Sequence, residues 1–125
     1  MIGKICTIMI SYYNRNIRRM AFKGRPALII GKADGGDYIV LPISSIRYRD
    51  NLDPHYDIEI DSCKYKLLNL SKSISYVRTH KQTPIHYGEI STEISDLKGL
   101  YPELFNLIID RVGEFQDAML QEARK

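Results

Sequence analysis

Two short apolar runs separated by a glycine turn constrain this chain more than any other feature. Pro26 to Lys32 reads PALIIGK, Asp34-Gly35-Gly36 follows, and Tyr38 to Ser44 reads YIVLPIS. Both runs are apolar at successive positions, so each strand buries both of its faces, as a central hairpin does. Glycine reaches positive φ at little cost, which suits Asp34-Gly35-Gly36 to the reversal between them. Pro26 stands at the start of its run, where a missing ladder donor does least harm. The pairing predicts that Arg25 and Ser44 come to the same open end of the hairpin.

The rest of the chain reads as β structure followed by one helix. Lys4 to Tyr13, rich in Ile, Thr and Tyr, is a first strand. Asn14 to Gly24 carries Arg15, Arg18, Arg19 and Lys23 without an acidic residue, and reads as a long basic loop. Tyr56 to Ile60 alternates as a half-exposed strand does, and Tyr65 to Leu70, Ile74 to Thr79 and Ile85 to Ser91 continue the pattern. After Ser91 the period changes. Leu100, Leu104, Leu107, Ile108, Val112, Phe115 and Met119 recur at helical spacing, and Pro102 suits a first turn, where its absent N–H is not missed. Gly113 inside that helix costs about 1 kcal/mol relative to alanine, so the helix leans on packing. The expected fold class is mainly β with a C-terminal α-helix: a small barrel or curved antiparallel sheet, one domain over residues 1–125.

Composition excludes several classes. With 125 residues, 44% hydrophobic and 26% charged, the chain has a globular balance and room for one core. A net charge of +3 permits a polyanionic partner without demanding one, so placement matters more than the sum. Cys6 and Cys63 form no C-x-x-C pair and read as two reduced thiols. No apolar run approaches the roughly 20 residues a membrane span needs, and the opening residues lack a cleavage site, so no membrane association and a cytoplasmic address are expected. His55, His80 and His86 form no H-x-x-x-H pair, and neither a P-loop nor G-x-G-x-x-G is present, so neither metal nor cofactor is expected.

Three places carry residues suited to chemistry: Arg25, Ser44-Ser45, and Tyr76-Val77-Arg78-Thr79-His80-Lys81. Singly, each has an ordinary explanation as a strand end or a turn. Together, two arginines, a hydroxyl and an imidazole are what RNA cleavage by the internal 2′-OH requires. A base draws a proton from the 2′-OH, cations stabilise the pentacovalent phosphorane, and an acid protonates the leaving 5′-oxygen. If the later strand continues through His80, Arg78 and His80 share a face. An imidazole, with an ordinary pKa near ~6.5, suits proton transfer at neutral pH.

Gly24-Arg25-Pro26-Ala27-Leu28-Ile29-Ile30, Val40-Leu41-Pro42-Ile43-Ser44 and Val77-Arg78-Thr79-His80-Lys81 resemble, in order and spacing, the three hallmark strands of the PemK/MazF toxins. Gly3-Lys4-Ile5 and Glu89-Ile90 also stand where that family has similar residues. The resemblance implies a homodimeric, sequence-selective endoribonuclease with an SH3-like barrel, acting on single-stranded RNA and neutralised by a cognate antitoxin. By position, Arg25 matches the catalytic arginine and Ser44 the hydroxyl residue at the scissile phosphate. Arg78 and His80 match the site where some members place an arginine and an aspartate. The histidine is a departure, which leaves the general acid or base open. Arg15, Arg18, Arg19, Lys23, Ser45, Thr79 and Lys81 are the expected RNA contacts. Two other classes stay in view: a toxin of the same fold that binds DNA gyrase, and a non-catalytic RNA-binding module stacking bases on Tyr12, Tyr13 and Phe22. The first relies on a tail ending near a tryptophan, and this chain has none.

Overall fold

A computed structural model describes all 125 residues. Seven strands form one curled antiparallel sheet, a half-barrel, followed by a C-terminal helix. In chain order they are β1 (Lys4–Asn14), β2 (Arg19–Lys32), β3 (Asp37–Ser44), β4 (Asp57–Asp61), β5 (Ile74–Arg78), β6 (Thr83–His86) and β7 (Ile90–Asp96). A short helix α1 (Leu97–Leu100) leads into the long α2 (Pro102–Ala123). The spatial order is β4-β5-β3-β2-β1-β7, with β6 beside β3. No helix is long and apolar enough to cross a membrane.

The central hairpin forms as its sequence predicts. β2 and β3 pair from Ala27↔Pro42 to Lys32↔Tyr38, with one irregularity between Ile29 and Gly31. The turn places Gly35 at φ 71° and Gly36 at φ 82°, values an L side chain rarely adopts. Alternation then sorts the side chains onto two faces. Leu28, Leu41 and Ile43 enter the main core, where Leu104, Phe105, Ile108 and Val112 of α2 cover the concave side. Ala27, Ile29 and Val40 join Cys6 and Ile8 of β1 in a smaller cluster on the opposite face. Of the expected helical stripe, Leu104, Ile108 and Val112 are buried, while Leu107 and Met119 stay exposed and Phe105 takes a core position.

Three expectations are corrected. The basic segment Asn14 to Gly24 is not a loop, because β1 and β2 continue as a hairpin pairing Asn14↔Arg19 through Met9↔Gly24. Only Arg15 to Arg18 turn. Asn14 Oδ1 accepts from the backbone N–H of Asn16 (2.9 Å), and Arg18 sits at φ 52°. Tyr65 to Leu70 is not a strand. It folds as a 3-10 turn over Lys66–Leu68, which drives Leu68 fully into the core and ends with Asn69 at φ 58°. Ile85 to Ser91 is not one strand but the end of β6, a 3-10 turn over Tyr87–Glu89, and the start of β7. The turn lets β6 pair with β3 while β7 crosses to β1. Of the two thiols, Cys6 is buried and Cys63 exposed.

Leu28 and Ile108 are both at 0% exposure on facing sides of the main core. Leu28→Ala or Ile108→Ala is therefore expected to cost about 2–5 kcal/mol. Leu120→Ala, 45% exposed on the free end of α2, is expected to stay within about 0.5 kcal/mol. Urea unfolding midpoints of the three variants check the contrast.

Candidate functional site

The site begins where the β2–β3 ladder stops. Its last rung is Ala27↔Pro42. Beyond it stands Pro26 on β2, and neither proline has an N–H to donate, so the two strands part. β2 continues with β1 on its other side, pairing Thr7↔Pro26 and Ile8↔Arg25. β3 runs on against β5, pairing Ile43↔Val77 and Ser44↔Tyr76. The parting opens a cleft of about 680 Å³.

Its lining comes from four places: Lys23 to Pro26 of β2, Ile43 to Tyr48 at and after the end of β3, Asn51, and Leu70, Ser71, Lys72, Ser75 and Arg78 before and along β5. Arg25, Ser44, Ser45 and Arg78 all stand on this one cleft, as does Lys23. Sequence reasoning missed Arg47, Tyr48, Lys72, Ser71 and Ser75, which also line it. Their only sequence sign is the polar stretch Ser71-Lys72-Ser73 before β5 and the Arg-Tyr-Arg after Ser45. Five cations, Lys23, Arg25, Arg47, Lys72 and Arg78, face the cleft, and no carboxylate lines it.

The cations are not equivalent. Lys23, Arg25, Arg47 and Lys72 have no ion-pair partner, whereas Arg78 is paired with Asp57. The two are cross-strand neighbours at the ends of β4 and β5. Arg78 Nε donates to Asp57 Oδ1 at 3.0 Å, and Nη2 donates to the Asn51 carbonyl at 2.8 Å. The Asp57 side chain has no exposed surface, and its Oδ2 also accepts from the Asp53 backbone N–H at 2.8 Å. The alternation of Tyr56 to Ile60 marks Asp57 as exposed, but Arg78 and the Asp53 loop close over it.

Six expected site residues lie off the cleft. Thr79 is fully buried, and its hydroxyl donates to the Tyr56 carbonyl at 2.6 Å, so it is a core residue and not a ligand contact. Lys81 is exposed beyond the end of β5 and does not line the cleft. His80 does not line it either. β5 ends at Arg78, so the two-residue alternation that put His80 beside Arg78 lapses. The imidazole packs against Tyr56 and Phe115, with Nδ1 buried, unbonded and 3.9 Å from Asp57 Oδ1. His55 is engaged by Glu114, and His86 Nδ1 accepts from the Gly88 N–H. Arg15, Arg18 and Arg19 project at the far tip of the β1–β2 hairpin, exposed and outside the cleft lining. No three His, Cys, Asp or Glu side chains gather where they could hold a metal ion.

An open, carboxylate-free cleft walled by cations and hydroxyls is suited to a phosphodiester chain, with the arginines supplying forked donors and Ser44, Ser45, Ser71 and Ser75 single ones. No family model matches the chain, and no curated protein does.

Two outcomes follow from this geometry. Binding of a single-stranded oligonucleotide should weaken steeply with salt. Arg47→Ala with Lys72→Ala is expected to flatten the plot of log affinity against log salt by about 0.7 for each phosphate that the two side chains neutralise, measured by fluorescence anisotropy. The second concerns acid. Burial holds the His80 pKa below its ordinary value of 6.5, with the Asp57 charge opposing. The unfolded chain therefore takes up this proton first as pH falls. The stability is complete above the ordinary value and is lost as pH falls through the depressed one. Urea midpoints at about pH 7.5 and about pH 5 should fall further apart in the wild type than in His80→Gln.

Proposed function

We propose that the chain is a sequence-selective endoribonuclease of the PemK/MazF type, cutting single-stranded RNA by attack of its own 2′-OH. The observation that carries this reading is the convergence of Arg25, Ser44 and Arg78 on one cationic cleft free of carboxylates. In this reading the scissile phosphate lies between the two arginines. The 2′-oxygen bonds to phosphorus as its proton passes to water, and the P–O5′ bond breaks as the 5′-oxygen takes a proton from water, since no imidazole or carboxylate lines the cleft. Arg25 and Arg78 stabilise the charge that builds on the non-bridging oxygens, and the Ser44 hydroxyl donates to one of them. RNA brings its own nucleophile, and the cations stand where a metal ion would otherwise neutralise the phosphorane. The products are a 2′,3′-cyclic phosphate and a 5′-hydroxyl. Homodimer formation and neutralisation by an antitoxin belong to the same proposal.

One observation favours a second reading, an RNA-binding module that cuts nothing. Tyr48 in the cleft and Phe22 on the hairpin are each 71% exposed, and Tyr13 is 56% exposed. Exposed aromatic rings serve as stacking platforms for unpaired bases whether or not cleavage follows.

The experiment is cleavage of a mixed single-stranded RNA by the purified chain in EDTA. Cutting with a 2′,3′-cyclic end, and none when the scissile ribose is deoxy, is the expected result. Arg25→Ala is expected to lower the single-turnover rate by about 10² or more while the fold is kept. Arg25→Lys should restore little, since a point charge does not reproduce the fork. An Arg25→Ala chain that cuts at the wild-type rate removes the reading. Binding without any cutting, in wild type as in variant, selects the RNA-binding module instead.

A further inference from the structure

We propose that Asp57 is a positioning residue, which acts through Arg78 to aim its guanidinium at a phosphate in the cleft. The proposal rests on the reading of the cleft as an RNA site and assigns a role to a residue that never meets the ligand. Arg78 would otherwise be a long, rotatable side chain at a strand end. Two of its three nitrogens are engaged: Nε by Asp57 at 3.0 Å, and Nη2 by the Asn51 carbonyl at 2.8 Å and Asp57 Oδ2 at 3.4 Å. A guanidinium held at two nitrogens has its plane fixed. Nη1 remains as the unengaged end of the fork, in a residue that lines the cleft.

Asp57 is itself held. It is the cross-strand partner of Arg78, its side chain is wholly enclosed, and its Oδ2 accepts from the Asp53 N–H at 2.8 Å. Asp53 Oδ1 in turn accepts from the backbone N–H of His55 and of Tyr56, both at 2.9 Å, so the loop before β4 is a rigid mount. Stability alone does not call for a charge at such a place, because a well-packed apolar pair is commonly as stable as a buried ion pair. What the carboxylate supplies is direction. It also partly cancels the Arg78 charge, and this gives the proposal a signature that a purely structural role lacks. Asp57→Asn removes a negative charge from behind the cleft, so phosphate affinity is kept or tightened. The aim of Arg78 is lost at the same time, so the chemical step slows.

The test combines cleavage with binding. In single-turnover cleavage of single-stranded RNA, Asp57→Asn is expected to lower the saturating rate by about 10- to 100-fold, the scale for misplacing a reacting group by about 1 Å. The half-saturating concentration should not rise. In an Arg78→Ala background the same substitution is expected to have no further effect, because a residue that acts only through Arg78 has nothing left to aim. Additive losses in that cycle, or a rate unchanged by Asp57→Asn, overturn the proposal. A second measurement needs neither a variant that folds nor an active enzyme. The Arg78 Nε–H resonance of the full-length wild-type chain should exchange slowly with water, and should shift when a 2′-deoxy oligonucleotide is added. Fast exchange, or no shift on binding, overturns the assignment. A chain that cuts no RNA but shows both behaviours removes the nuclease reading and leaves Asp57 as the residue that aims Arg78 at a bound phosphate.

Discussion

The outer edge of β3 must be satisfied along its whole length, yet no single strand runs beside it. β6 takes the first half, from Asp37↔His86 to Val40↔Thr83, and β5 takes the end at Ile43 and Ser44. The change of partner falls at Leu41 and Pro42. β5 and β6 share one edge of β3, in a sheet that curls into a half-barrel with α2 against its core. Pro42 also ends the ladder to β2 on the other side. The change of strand partner and the opening of the cleft thus meet at one residue.

Charge is distributed around that cleft in two ways. Lys23, Arg25, Arg47 and Lys72 are held near one another without a compensating carboxylate, an arrangement that repels itself until an anion arrives. Arg78 alone is neutralised, and from behind. The unpaired cations supply long-range attraction, while the paired one gives up field strength in return for a fixed direction. A site that must both capture a mobile polyanion and hold one phosphate in register is served by both kinds.

The hairpin turn at Asp34-Gly35-Gly36, the double-faced burial of β2 and β3, and α2 starting at Pro102 are legible in the sequence because each rests on local chemistry: positive φ, period, and a missing N–H. So is the meeting of Arg25 with Ser44, which needs only the pairing register. The β1–β2 hairpin is not legible. Its turn, Arg15-Asn16-Ile17-Arg18, has no glycine and places an arginine at φ 52°, and its run of cations reads as a solvated loop. Leu68 reads as a strand residue because a short apolar run does not reveal whether an edge is free to receive it. His80 and Asp57 mislead for a shared reason. Alternation holds only inside a strand and says nothing of what closes over its ends. A residue just past β5 and another at the first position of β4 therefore both meet surroundings that the pattern does not foretell.

β1 is the first strand made and β7 the last, yet they are neighbours, with Lys4 opposite Asp96. Every residue lining the cleft lies between Lys23 and Arg78. The concave side of those strands nevertheless stays uncovered until Leu104, Phe105, Ile108 and Val112 of α2 have been made. Contacts so distant in sequence close slowly, since loop entropy is lost before packing compensates it. During synthesis from the N-terminus, the strands that bear Arg25, Ser44 and Arg78 therefore exist for some time without a core to fix them. The cleft is among the last features of the molecule to become rigid, although its residues are among the earlier ones to leave the ribosome.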